Sequence, residues 1–217
     1  MMARKNEGEI HLPEFKPQNL DFNIKTDMWL CGPSETDLNG EKFPGAFPAG
    51  FLKRLKQTFK KYYPTDSKEI LHVCAGRIPK EEGLRLDISN QYNPDFLCDC
   101  QTFILANGNR VPENIVTWSI SDTPYNKPAA NKYYSSTMIE RSRVLRQMNR
   151  VTKVGGFIGI LDQIIPSAPP KNLVMVAKIG VSSVPNLDLR TFSVLKKIGP
   201  TTDELRAEGS QRLEEFF

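Results

Sequence analysis

The sequence predicts an α/β fold, a seven-stranded, mostly parallel sheet with helices on both faces. Short continuous apolar runs recur from residue 69 to residue 198, as strands buried on both faces do. An amphipathic helical stretch precedes them and a basic one is set among them, the arrangement that covers such a sheet. Four of the runs end at a glycine or an acid, Gly76, Asp87, Asp99 and Asp122. In parallel sheets, ligands bind just beyond such strand ends.

Composition agrees with one globular domain. The chain has 217 residues, 39% hydrophobic and 25% charged, with 29 Lys and Arg against 25 Asp and Glu, a net charge of +4. A chain of this size buries roughly 70–75% of its unfolded surface, enough for a core without staples. No run approaches the ~18 apolar residues of a membrane span, and the charged N-terminus has no apolar signal region. A cytoplasmic protein with no membrane partner is the expectation. Residues 1–26 read as a polar arm, 27–198 as the folded domain and 199–217 as an acidic, solvated tail.

Within the domain, the glycine- and proline-rich stretch 32–50 leads into residues 51–63. There Phe51, Leu52, Leu55, Phe59 and Tyr62 or Tyr63 recur at helical spacing, and Pro64 stops the helix. Its outer face carries Lys53, Arg54, Lys56, Lys60 and Lys61 and no acid. Strands follow at 69–76, 83–89, 94–100 and 114–125. A basic helix over 134–150 then leads through a Gly155-Gly156 turn to a fifth strand over 157–165. Strands at 173–184 and 190–198 complete the sheet. Cys98 and Cys100 form a C-x-C pair with no second pair at metal spacing, so reduced core thiols and no metal are expected.

The segments Leu71-His72-Val73-Cys74-Ala75-Gly76, Asp87, Asp99 and Asp122-Thr123-Pro124-Tyr125 stand in order at the ends of the first four runs. Phe43-Pro44-Gly45-Ala46-Phe47-Pro48 precedes the first helix, and Arg150-Val151-Thr152-Lys153-Val154-Gly155-Gly156 precedes the fifth strand. Together they resemble the S-adenosylmethionine-dependent amino-methylating DNA methyltransferases, which carry an Asp-Pro-Pro-Tyr type motif on a Rossmann-like class I methyltransferase fold. The resemblance runs from about Trp29 to Ile198. It implies S-adenosylmethionine as cofactor, held by Phe47, Pro48, Cys74, Ala75, Gly76, Asp87, Ile88, Asp99 and Cys100. Asp87 would accept from the ribose hydroxyls and Asp99 from the adenine amino group.

The same resemblance makes Asp122, Thr123, Pro124 and Tyr125 the catalytic set, acting on a base amine in DNA, with adenine N6 favoured. The conjugated lone pair of such an amine is a poor nucleophile. Hydrogen bonds to the Asp122 carboxylate and the Thr123 carbonyl would turn it toward the methyl donor, with the extruded base stacked on Tyr125. Residues 126–153 hold seven Lys and Arg against Glu140 alone. From these, Lys127, Lys132, Tyr133, Tyr134 and Arg141 are the candidate nucleic-acid contacts. The sequence departs from the pattern in four respects. His72 replaces the usual first acid, Arg77 the second glycine and Thr123 the first proline, and only residues 77–86 separate Gly76 from Asp87. Transfer to RNA or to a protein amine, and a non-catalytic binding subunit, remain open readings. A homodimer or a second specificity subunit is a further expectation, because the chain has little room for target recognition.

Overall fold

The computed structural model describes residues 24–33, 47–123, 139–164, 166, 169–183, 188–202 and 204. The strands are β1 (Lys25–Cys31), β2 (Ile70–Val73), β3 (Leu84–Asp87), β4 (Phe96–Leu97), β5 (Val116–Ser121), β6 (Thr152–Asp162), β7 (Leu173–Ser183) and β8 (Asp188–Lys197). Among the described residues two α-helices, α1 (Phe51–Thr58) and α2 (Arg141–Val151), pack against them. None of the described helices is long and apolar enough to cross a membrane.

All eight strands form one sheet in the order β1-β7-β8-β6-β5-β2-β3-β4. Every neighbouring pair is parallel except those of β8, which runs antiparallel to both β6 and β7. From β4 to β7 this is the strand order of a Rossmann-like class I methyltransferase. The seven expected strands are all present. An eighth, β1, adds itself beside β7 and draws residues 25 and 26 out of the expected arm. It is an edge strand that turns Trp29 and Cys31 inward and leaves Met28 and Leu30 exposed, so its signal is short.

Alternation along the central strands divides the core. On one face Trp118 and Ile120 of β5 pack with Phe51, Leu55 and Phe59 and with Phe192 and Val194 of β8. On the other, Leu71 and Val73 pack with Ile158 and Ile160 and with Val144, Leu145 and Met148 of α2. Helix α1 is too short to persist alone, and its N-cap, Gly50, makes no side-chain capping bond. Complete burial of Phe51 and Leu55 holds it, at roughly 1.5–3 kcal/mol each. Trp118 stacks on Phe157 at 5.0 Å and donates its indole N–H to the Tyr62 carbonyl at 2.8 Å.

The connections on the β2-β3-β4 side are unusually lean. A 3-10 turn, Lys80–Glu82, joins β2 to β3, and another, Asn90–Tyr92, joins β3 to β4. Buried Arg85 fastens the second by donating to the carbonyls of Tyr92 and Asn93 at 3.0 and 2.5 Å. Gly155 and Gly156 lie inside β6 rather than before it. Val116 pairs with Thr152 and Trp118 with Phe157, so the residues between them loop out as a bulge. A Cβ on Gly156 would come within 2.6 Å of the Thr117 carbonyl oxygen.

Glu204 of the tail is tied to a buried charge in β8. Lys197 is completely buried, donating to the carbonyls of Asn149 and Thr152 at 3.0 and 2.9 Å and to Glu204 at 3.2 Å. Burial pulls the Lys197 ammonium below its usual pKa, with Glu204 opposing that shift. Removing Glu204 strands a buried charge, so Glu204→Ala should cost about 3 kcal/mol in urea unfolding. Adding Lys197→Met should recover most of it, since the charge and its partner then leave together.

His72 is also fully buried, with Nε2 3.2 Å from the Glu82 carbonyl oxygen and Nδ1 unpartnered. Burial lowers its pKa from 6.5 to about 4. Between these values the unfolded chain binds a proton that the folded chain refuses, so stability falls as pH drops from 6.5 toward 4. His72→Gln should remove up to about 3 kcal/mol of that acid sensitivity, read from denaturation midpoints at pH 7 and pH 4.5.

Candidate functional site

Strand β2 stops because Cys74 turns into the left-handed region, φ +58°, followed by Gly76 at φ +49°. The turn is pinned to the neighbouring strand. Ala75 N–H donates to the Leu86 carbonyl at 3.1 Å, and Gly76 N–H donates to Asp87 Oδ2 at 2.9 Å. The other carboxylate oxygen of Asp87 accepts from Ser89 N–H at 2.9 Å, and the Asp87 carbonyl accepts from Cys98 N–H at 2.9 Å. One buried aspartate therefore ties together the ends of β2, β3 and β4.

Asp99 opens the next turn. Its Oδ1 accepts from Gln101 N–H at 2.8 Å and its carbonyl accepts from Phe103 N–H at 2.9 Å. Among the described residues Oδ2 has no partner. Cys74, Asp87, Ile88, Asp99 and Cys100, all nominated from sequence, line one narrow cleft with Gln101 and Ile139. Its volume is about 30 Å³ in this conformation, room for one or two waters. The two additional residues belong together, because Gln101 accepts the N–H of Glu140 at 2.9 Å and so links the Asp99 turn to the start of α2. Adjacency to Asp99 could have flagged Gln101; nothing in the sequence flags Ile139.

The nominated residues do not all meet in the cleft. Phe47 stacks on Phe51 at 4.8 Å, on the α1 face of the sheet. The Pro48 carbonyl accepts the first N–H of α1, from Phe51. Ala75 is buried in the same cluster as Phe47, and Gly76 reaches the cleft through its bond to Asp87. The Cys74 and Cys100 thiols are hydrogen-bonded, and that bond, with burial, drives the Cys74 pKa up. Burial raises Cys98 to about 12. The Cys74 and Cys98 thiols are protonated at neutral pH and serve as packing groups. Among the described residues no three His, Cys, Asp or Glu side chains converge as a metal site.

Asp122 follows β5, immediately beside β2, on the α1 face. Arg190, near the start of β8, holds its carboxylate with Nη1 at 2.9 and 3.0 Å from the two oxygens. Burial pushes the Asp122 pKa above the ordinary carboxylate value, against the pull of Arg190. Thr123 faces the opposite way, into a cavity of about 310 Å³ that is walled by Val144, Leu145, Ile160 and Ile164. Buried Ser121 Oγ, which has no hydrogen-bond partner among the described residues, lies on its wall. The partnership of Asp122 with Arg190 spans distant parts of the sequence and left no local trace. Pro124, Tyr125, Lys127, Lys132, Tyr133 and Tyr134 lie outside the described residues.

The basic stretch is largely paired off where it is described. Arg141 donates to Asp162 through Nε at 2.5 Å and Nη2 at 3.1 Å. Arg143 pairs with Glu140, Lys153 with Glu69, and buried Arg150 donates to the Val111 carbonyl at 2.8 Å.

No protein-family description matches the chain, and comparison with curated proteins finds no match. Among solved structures, TrmN from Thermus thermophilus is similar with a TM-score of 0.45 and 13% identity, over 67% of this chain and 48% of TrmN. A Sulfolobus solfataricus protein assigned to the type 11 methyltransferases gives a TM-score of 0.37 and 15% identity, over 68% of this chain and 92% of its own. This chain thus spans about half the length of TrmN. Both are likenesses of fold and say nothing of the acceptor.

If Asp122 acts as an ionised acceptor, activity should fall on acidification with a midpoint above the usual carboxylate range, because burial favours its neutral form. A pH–rate profile of kcat reads that midpoint, and Arg190→Gln should move it higher still.

Proposed function

We propose that this protein is an S-adenosylmethionine-dependent methyltransferase acting on an exocyclic base amine in DNA, with adenine N6 favoured. One observation carries the reading. Five residues nominated separately from three strand ends line a single cleft, and Asp122 and Thr123 end the adjacent strand. Cys74 and Asp122 follow the neighbouring ends of β2 and β5, the sheet's switch point, where the chain winds away in both directions.

The donor set fits the cofactor. Asp99 Oδ2 is available to accept from an adenine amino group. Asp87 has already spent one acceptor position on each oxygen on backbone N–H groups, and each oxygen keeps a second for a ribose hydroxyl. The bound cofactor would supply an electrophilic methyl group. An adenosyl group needs more room than the present cleft has, so the Gln101–Glu140 side must yield on binding.

For the acceptor, the Asp122 carboxylate and the Thr123 carbonyl receive the hydrogens of the amine and direct its lone pair. Arg190 keeps the Asp122 carboxylate fixed so that orientation is not lost to side-chain rotation.

Incubation with methyl-labelled S-adenosylmethionine and separate samples of single-stranded DNA, duplex DNA, RNA and protein tests the reading. Label in DNA, recovered as N6-methyladenine, is the expected result, and Asp122→Ala should lower the rate by about 100-fold or more. Label confined to RNA or protein would reassign the acceptor. A second reading, a methyltransferase fold without transfer, is favoured by the narrow cleft and by the Asp122 carboxylate being already ion-paired. Cofactor binding with no transfer to any of the four acceptors would establish it.

A further inference from the structure

Helix α1 offers a cationic surface that the site does not use. Lys53, Arg54, Lys60 and Lys61 are all exposed; Arg54 lies within the field of Asp27, and the three lysines have no acidic partner among the described residues. Only Lys56 on this face is neutralised, by Glu82 at 2.6 Å. Lys53 and Arg54 stand on α1, and Lys60 and Lys61 on the turn that follows its Phe59 C-cap, so the exposed cations run from the start of the helix into that turn. The contrast with residues 139–153 is direct, since Arg141, Arg143 and Lys153 there are matched by nearby carboxylates.

An aromatic group stands at the far end of this run. The Tyr62 ring is 49% exposed, with the Lys61 ammonium 5.7 Å from its centroid. Its inner edge rests on Phe157 at 5.4 Å, and the Lys196 ammonium lies 5.9 Å from the Phe157 centroid. Tyr62 is therefore held in place while one part of its ring stays open. The near end of the run leads toward Asp122. Arg54 and Arg190 are close enough to Cys31 that both bias its thiol toward the thiolate, and Arg190 grips Asp122. The run of cations and the Asp122 side chain share one face of the sheet.

We propose that the α1 face, from Lys53 and Arg54 to Lys61 and Tyr62, binds single-stranded nucleic acid, its cations on the phosphates and Tyr62 stacked on a base. The chemistry favours this occupant over an anionic membrane. Single strands pair a charged backbone with unstacked bases, and a positive groove with an open aromatic is how they are held. A membrane-surface helix needs an apolar face free to insert, whereas Phe51 and Leu55 are buried in the core and Leu52 packs against it. The proposal deepens the nucleic-acid reading of function, yet it stands on the charge and aromatic geometry of α1 without reference to methyl transfer.

Fluorescence anisotropy of the full chain with labelled single-stranded DNA and RNA oligonucleotides provides the test. The Lys53→Glu/Lys60→Glu/Lys61→Glu variant should bind at least tenfold more weakly. Its plot of log affinity against log salt should be shallower by about 2, from three lost phosphate contacts at about 0.7 each. Tyr62→Ala should lose about fivefold or more, with the salt slope unchanged. The charge-matched Arg110→Glu/Arg146→Glu/Lys171→Glu variant should bind within twofold of the parent. Thermal unfolding of each variant verifies that it is folded.

Equal loss in both triple variants, no loss in the α1 variant, or no binding by the parent would each overturn the proposal. Binding to anionic phosphatidylserine vesicles but not to oligonucleotides would also overturn it and assign the face to a membrane. S-Adenosylmethionine binding, measured in parallel, separates the two ideas. A parent that binds the cofactor but no oligonucleotide loses the surface and keeps the cofactor site, whereas the reverse keeps the surface alone.

Discussion

The Asp87 carboxylate is the constraint on which the rest of the site depends. It sits at the end of β3, accepts the N–H of Gly76 with one oxygen and the N–H of Ser89 with the other, and is 4% exposed. Parallel neighbours normally owe their spacing to a crossover helix. Here the chain from β2 to β3 makes only a 3-10 turn, so the turn after β2 would otherwise be poorly defined. Hydrogen bonds to a charged acceptor contribute roughly 1.5–3 kcal/mol each, enough to hold Cys74 and Gly76 in backbone conformations with positive φ. With that turn fixed, Cys74 meets Cys100, Asp99 is brought alongside, and the cleft has its walls.

That role alters how the aspartate is to be understood. A carboxylate at the end of the second strand of the domain can be read as a ligand group, and the resemblance to methyltransferases encourages it. The structure gives Asp87 a prior occupation in organising the backbone, and its remaining acceptor positions are all that a ligand could use. Asp99 has the opposite balance, one oxygen on a local N–H and the other without a partner among the described residues. A substitution at Asp87 therefore disturbs loop and ligand together, whereas one at Asp99 bears mainly on the ligand.

Most of the sheet was legible because parallel strands are apolar on both faces, and Ile70–Val73 is buried at every position. The strand-end acids were legible because they interrupt those runs. Less visible was whatever depends on partners far apart in sequence. Glu204 looks like part of a solvated acidic tail until buried Lys197 is found to need it. Asp122 looks free until Arg190 closes on it. The Gly155-Gly156 bulge inside β6 reads as an ordinary turn, because its pairing residues lie on a different strand. The ion pairs of the basic stretch are of the same kind, since Arg141 lies beside Asp162 and Lys153 beside Glu69, both remote in sequence. Along α1 and the turn after it, Lys56 pairs with Glu82, whereas Lys53, Lys60 and Lys61 have no carboxylate partner among the described residues.

The central claim is that the cleft between the Cys74 turn and the Asp99 turn is a cofactor site. Calorimetric titration of S-adenosylmethionine into the full chain, repeated on Asp99→Ala, tests it most directly. The account predicts binding at micromolar concentration, about −8 kcal/mol, weakened tenfold or more by the substitution while the unfolding midpoint stays within a few degrees. No binding by the parent chain, or equal affinity in the parent and Asp99→Ala, would contradict it.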